Sequence, residues 1–224
     1  TCQIMITGSN AKMLSGELST RLRGRYVAYR IRGLDYGEFL TFHHLPDSDE
    51  TLHLFLQYGG LPQLRNLGTD NPDLMEDYLE NVCNTIVLRD VIERENIRNI
   101  PLLRTLLKFV SDNVGKQFSA RSIVNFLKSQ NTEATNKLIL AYLDYLCNAY
   151  IIDRTNRYNI HGKKLLEIGD KFYFEDLGIR NHIIGGNRRF DMEKVMENAV
   201  YRHLVRMGYK VYVGQMEKSE IDFV

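Results

Sequence analysis

From Pro101 onward the apolar residues recur three times at helical spacing and then twice at strand spacing, an order that few folds accept. Leu102, Leu103, Leu106, Leu107 and Val110 mark a first helix. Ile123, Val124 and Leu127 mark a second, capped by Ser119. Leu138, Ile139, Tyr142, Leu143 and Leu146 mark a third, expected over Glu133 to Ala149 with Thr132 as its cap. Tyr150–Arg154 and Lys171–Glu175 then read as strands around a basic loop, Arg157 to Lys164. Helix–helix–helix–strand–loop–strand is the order of a winged helix, within the helix-turn-helix group.

The residues before Pro101 have a different character. Cys2–Thr7 reads as a buried strand, Gly8-Ser9-Asn10 as a turn, and Ala11 to about Leu22 as a short helix. Tyr26–Ile31 alternates like a second strand. Thr51–Tyr58 is a short helix closed by Gly59-Gly60, and Pro62 restarts the chain. Asn71-Pro72 opens a long helix expected over Asp73 to Glu95, with Met75, Leu79, Val82, Cys83 and Ile86 as its stripe.

At the far end, Met192, Val195, Met196, Ala199 and Val200 predict a helix face, with Glu197 off that face. Gly208, the strand-like Tyr209–Gly214, a polar turn and Glu220-Ile221-Asp222-Phe223-Val224 follow. In the last segment Glu220 and Asp222 share one side by alternation, and Ile221 and Phe223 the other. A helix carboxylate facing a strand carboxylate is half of a two-carboxylate metal site. The sequence stops before a second half, so the chain reads as an internal piece of a longer protein.

Composition narrows the class. With 224 residues, 44% hydrophobic and 25% charged, the chain is ordinary globular material with room for more than one module. No apolar run nears the ~20 residues that span a bilayer. Cys2, Cys83 and Cys147 lack metal-ligand spacing and read as buried reduced thiols of a cytoplasmic protein. The six His residues form no ligand-like group. A net charge of +1 hides an uneven distribution: residues 1–100 hold 10 Lys/Arg against 14 Asp/Glu, whereas 101–165 hold 10 against 4. Only the second segment has the electrostatics of a polyanion binder.

Several ordered motifs resemble a known arrangement. Ile6-Thr7-Gly8-Ser9-Asn10-Ala11-Lys12-Met13-Leu14, Leu22-Arg23-Gly24-Arg25 and Tyr58-Gly59-Gly60-Leu61-Pro62 resemble the second half of an AAA-type P-loop ATPase of the bacterial and archaeal STAND-like group. Arg89-Asp90-Val91, the run Phe174 to Asn181, and Glu220 to Val224 resemble the domain of unknown function that follows in such proteins, which ends in a PD-(D/E)XK nuclease-like fold. The resemblance implies a helix-rich α+β chain. Residues 1–45 would be the end of an α/β ATPase core, 46–100 a helical lid, 101–180 the winged helix, and 181–224 a truncated nuclease-like α/β unit.

It also implies roles. Ser9 and Asn10 fall at the strand end where such ATPases sense the γ-phosphate, which makes Asn10 the expected sensor, with a Gly-Ser-Asn turn that caps the next helix as the alternative. Arg25 falls where the family carries an Arg finger for ATP, against the alternative of a basic surface ribbon shared with Arg21, Arg23, Arg30 and Arg32. Gly60-Leu61-Pro62 matches a lid signature, a stiff joint able to pass on nucleotide state. Glu197 and Asp222 match the first two carboxylates of a nuclease Mg²⁺ site, whose lysine belongs to a third strand beyond Val224. ATP and Mg²⁺ are thus the implied cofactors of the whole protein.

No Gly-x-x-x-x-Gly-Lys-Ser/Thr occurs in the sequence, so this chain alone is expected not to hydrolyse ATP. The expected function is that of an ATP-driven switch acting on DNA. The alternative is a protein-interaction module with a degenerate nuclease-like unit. The basic excess favours DNA, through Lys116, Arg121, Lys128, Arg154, Arg157, Lys163 and Lys164. The third helix, with Lys137 as its one base, favours protein.

Overall fold

The computed structural model describes residues 4–8, 25–68, 71–85, 90–185, 191–217 and 219–224. The chain is a mixed α+β protein, predominantly helical, with one small sheet. Among the described residues, five helices come first: α1 (Tyr36–His43), α2 (Asp49–Tyr58), α3 (Leu64–Leu67), α4 (Pro72–Val82) and α5 (Asp90–Arg94). Local chemistry sets their starts. Asp35 and Glu38 form a reciprocal capping box on α1, Ser48 caps α2, and Asn71 with Pro72 opens α4. Tyr58, Leu64, Met75 and Leu79 close a small core of their own.

Next come α6 (Ile100–Asp112), α7 (Ala120–Ser129) and α8 (Asn136–Asn148), followed by β1 (Ile152–Asn159) and β2 (Lys164–Phe174). The three helices and the β1–β2 hairpin share the main core, in which Leu102, Leu106, Ile123, Leu127, Ile139, Leu146, Ile152 and Phe174 are fully buried. The loop after α6 lies on the edge of β2, where Gly115 N–H donates to Phe172 O and Phe118 N–H to Asp170 O. After β2 come α9 (Leu177–Ile184), α10 (Met192–Arg206), β3 (Val213–Met216) and β4 (Ser219–Ile221). The sheet order is β2-β1-β3-β4, antiparallel except where β1 meets β3 in parallel. Paired hydrogen bonds between Tyr212 and Val224 extend the β3–β4 ladder at its open end.

Several expectations are corrected. Of the helix expected over Asp73–Glu95, the structure shows α4 to Val82, a π turn over residues 83–85 and α5 from Asp90, and residues 86–89 lie outside the described residues. The cap of α8 is Thr135, whose Oγ1 accepts from Leu138 N–H, and not Thr132. Both hairpin strands are longer than expected, leaving only residues 160–163 between them. Residues 25–35 run without strand pairing, and Val27, Tyr29 and Ile31 are 75%, 80% and 90% exposed. Strand-like alternation is present there, but a strand needs a ladder partner, and none stands beside it among the described residues. In α10 the buried face is Val195, Asn198 and Tyr201, while Met192, Met196 and Val200 are exposed. Among the described residues no helix is long and apolar enough to cross a membrane.

Candidate functional site

Two constellations stand out, and the first is a joint. Asp176 caps α9 from a buried position, 7% exposed. Its Oδ1 accepts from Ile179 N–H at 3.1 Å, and its Oδ2 accepts from Gly60 N–H at 2.8 Å. Burial pushes its carboxyl above the ordinary aspartate range, while the N–H groups of Gly60, Ile179 and Gly178 pull the other way. The Gly60 carbonyl in turn accepts from Leu34 N–H at 2.8 Å. No side chain fits between these strands of backbone, since a Cβ on Gly60 would lie 2.1 Å from Leu34 O. Asn181 donates to the last carbonyls of α2, Leu56 and Gln57, at 2.9 Å each. The Gly60-Leu61-Pro62 turn is therefore bolted to the β2–α9 junction on one side and to residue 34 on the other.

A charged clamp continues this joint along residues 30–38. Arg30 reaches Asp153 at 3.0 Å and Glu175 at 2.9 Å, with its guanidinium over the Tyr150 ring. Arg32 reaches Glu175 at 3.2 Å. From the other side Arg202 of α10 reaches the same two carboxylates at 2.8 and 2.5 Å. Arg206 holds Asp35 at 2.6 Å, pairs with Glu38 and donates to Gly33 O. Alternation explains the geometry: Val27, Tyr29 and Ile31 point outward, so Arg30 and Arg32 point to the body. Beneath the clamp lies a cavity of about 250 Å³ between residues 32–36, α2 and α10, floored by Leu56, Leu177 and Ala199.

The second constellation is centred on a lysine. Lys171 of β2 is 1% exposed, and its Nζ lies 2.8 Å from Glu197 Oε1, 2.6 Å from Glu220 Oε1 and 2.8 Å from Asp222 Oδ1. Tyr173 donates its hydroxyl to the same Glu197 oxygen at 2.7 Å, and Gln117 donates to Glu220. Desolvation would lower the lysine pKa, but hydrogen bonds to Asp222, Glu197 and Glu220 outweigh it and raise it. Burial and Glu197 push the Tyr173 phenol upward as well.

The residues expected to hold Mg²⁺, Glu197 and Asp222, are thus brought together, but on an ammonium. Among the described residues no group of three or more His, Cys, Asp or Glu is arranged to hold a metal ion. The residues present do not fit a divalent ion while Lys171 holds that position. Of the expected nucleotide contacts, Ser9 and Asn10 lie outside the described residues, and Arg25 is exposed.

On the basic segment, Arg154 is tied to Asp144 at 2.8 Å and Arg157 donates to Gln215. Arg104, Lys108, Lys116, Arg121, Lys128, Lys137 and Lys163 are exposed and make no ion pair among the described residues.

Lys171, Tyr173, Asp153, Glu175 and Arg202 were not singled out in the sequence. One signal was legible: Lys171 and Tyr173 sit two apart in Lys171–Phe174, so two polar tips share one face of an apolar strand. The partners of Arg202 lie on distant segments, and nothing local marks them.

Comparisons agree with this division into a leading segment and a body. Residues 1–40 match an AAA domain, which marks that end as an AAA-type ATPase region. Residues 49–189 match a domain of unknown function (DUF8612), and the chain belongs to that family. An uncharacterized protein of Haemophilus influenzae is 36% identical over 225 residues, covering 99% of this chain and 55% of that protein. The uncharacterized protein MJ1544 of Methanocaldococcus jannaschii is 29% identical over 236 residues, covering 99% of the chain and 52% of that protein. The chain therefore spans about half the length of the curated relatives it matches. No solved structure matches it.

Proposed function

We propose that this chain is the portion of an AAA-type ATPase through which nucleotide state reaches a DNA-contacting unit. The observation that carries this reading is the clamp. Arg30, Arg32 and Asp35 belong to the segment that matches the AAA domain, and each is held by charge to the hairpin or to α10. A shift of that segment would pull on β1, β2 and α10 together. In this reading residues 101–180 act as a winged helix, and Ser9, Asn10 and Arg25 face ATP in the complete protein. The seven exposed bases support DNA as the partner, held through its phosphates. Base reading is not expected of α8, whose single base is Lys137.

Titration of fluorescent duplex DNA at two salt concentrations tests the partner. Binding at low salt that weakens steeply as salt rises supports the reading, and no binding at low salt retires it. In the complete protein, Arg32→Ala should weaken the nucleotide dependence of DNA binding while ATP turnover persists.

A second reading is favoured by two specific observations. Phe126 on α7 and Leu140 on α8 are 39% and 47% exposed where a DNA reader would carry polar groups. Lys171 also fills the centre of the carboxylates. Both fit a protein-interaction module whose nuclease-like unit is degenerate.

A further inference from the structure

An ammonium has three N–H donors and no acceptor. Lys171 directs its ammonium to three carboxylates, and each comes from a different place: Glu197 from the middle of α10, Glu220 from β4, and Asp222 from the segment just after it. The donor set of the lysine is therefore fully used. Two of the carboxylates have further contacts, while Asp222 meets the lysine through Oδ1 and is 60% exposed. Glu197 Oε1 accepts from both Lys171 and Tyr173, while Oε2 packs so near Gly115 that a Cβ there would lie 2.2 Å away. Gln117 takes the second oxygen of Glu220.

A divalent ion in this place would need the same inward oxygens at ~2.0–2.6 Å. Two cations cannot share that centre, because the like charges would repel at contact distance around a lysine that is itself 1% exposed.

The arrangement has a mechanical side too. β3 meets β1 over only three residue pairs. Beyond this short ladder, the contacts that tie the hairpin of β3 and β4 to the body include Phe223 against Tyr173 and Tyr201, Arg157 and Ile160 N–H on Gln215, Gln117 on Glu220, and the carboxylates on Lys171. Lys171 is the point where β2, α10 and this hairpin are joined by charge.

We propose that Lys171 is the resident cation of this site, standing where the nuclease-like pattern implies a metal and pinning the β3–β4 hairpin to β2 and α10. The inference rests on reading Glu197 and Asp222 as the carboxylates of a nuclease-like unit, the basis of the second reading above.

The test is Mn²⁺ binding, followed by calorimetry and by the Mn²⁺ electron paramagnetic resonance signal, in the wild type, Lys171→Met and the double variant Lys171→Met/Glu197→Gln. Hydrogen exchange of residues 213–216 and 219–221 is read in parallel. The wild type is expected to bind no Mn²⁺ at up to ~1 mM, a concentration that fills even weak carboxylate sites. Lys171→Met should gain one Mn²⁺ that the double variant loses. Without metal its hairpin should exchange at least about tenfold faster, and Mn²⁺ should slow it again. Lys171→Gln, shorter and still able to donate hydrogen bonds, serves if circular dichroism shows Lys171→Met to be unfolded.

A wild type that binds one Mn²⁺ and loses it in Glu197→Gln overturns the resident lysine but leaves the carboxylate reading standing. Mn²⁺ retained by the double variant overturns both, since the ion would then be held elsewhere. A folded Lys171 variant that gains no ion, or keeps its hairpin protection, also overturns the proposal.

Discussion

The backbone at Gly178 presses so closely on the carbonyl of Tyr58 that a Cβ there would lie 2.0 Å from its oxygen. Gly178 is in the first turn of α9, where alanine would ordinarily gain up to ~1 kcal/mol in helix propensity. Here the clash is with backbone and cannot be relieved by a rotamer change. Gly178→Ala should therefore cost about 1–3 kcal/mol, the usual penalty for overpacking. Gly37 is the control. It lies in the first turn of α1, and its Cβ would meet only Asp35 Oδ1 at an ordinary 3.5 Å. Gly37→Ala should raise stability by roughly 0.5–1 kcal/mol. Urea midpoints that move the same way for both variants would contradict this account.

The clamp arginines should rank by burial. Arg202 and its partners Asp153 and Glu175 are each about 15% exposed, whereas Arg30 is 29% exposed. Removing Arg202 leaves two poorly hydrated carboxylates short of a cation, so Arg202→Met is expected to cost roughly 2–3 kcal/mol. Arg30→Met should cost about 1 kcal/mol or less, nearer the surface-pair range. Denaturant titrations with equal slopes would give the order directly, and an equal loss in both variants would show that solvent screening is not what separates them.

Alkaline pH should loosen the lysine centre. Lys171 holds its proton more tightly folded than unfolded, so its contribution is complete below the ordinary lysine value of ~10.4 and is lost as pH rises through the higher folded value. Tyr173, also raised, acts with the same sign. The wild type should therefore lose stability above about pH 10 beyond what Lys171→Met loses. Parallel pH profiles for the two proteins would mean that the ion cluster contributes nothing.

Cys83 and Cys147 should be silent towards thiol reagents. Burial pushes both thiols up to about 12, so at pH 8 only about one molecule in ten thousand carries the thiolate. Alkylation mapped by mass spectrometry should modify these two positions at least about a thousandfold more slowly than in urea-unfolded protein. Rapid labelling of either in the native state would show that the surrounding core opens locally.

Much of the body was legible because its elements are set by local rules. The stripes of α6, α7 and α8 and the cap at Ser119 follow from spacing and from one hydroxyl, and both survive in the structure. The convergence of Glu197 with Asp222 was also within reach, because alternation in Glu220–Val224 places Glu220 and Asp222 on one side. What occupies their centre was not. Lys171 lies 26 residues from Glu197 and 51 from Asp222, and no local pattern encodes which strand faces which helix. The same holds for the buried Asn198, whose amide exchanges two hydrogen bonds with the backbone of Phe174. The face of α10 was misjudged because hydrophobicity was read alone. Asn198 is buried for its hydrogen bonds, while Met196 and Val200 line a cavity instead of a core.

The long reach of the clamp has a consequence for how the protein is made. Arg206 grips Gly33 from 173 residues further along the chain, and Glu175 takes Arg30 across 145. On a ribosome adding ~5–20 residues per second, residues 30–38 emerge roughly 9 to 35 s before Arg206 exists to hold them. During that interval Val27, Tyr29 and Ile31 have no finished body behind them, and the two carboxylates that will fix Arg30 and Arg32 are not yet synthesised. The leading segment must wait, unanchored, until α10 is made, so the tie between the AAA-matching end and the body closes only after β1, β2 and α10 have all been synthesised.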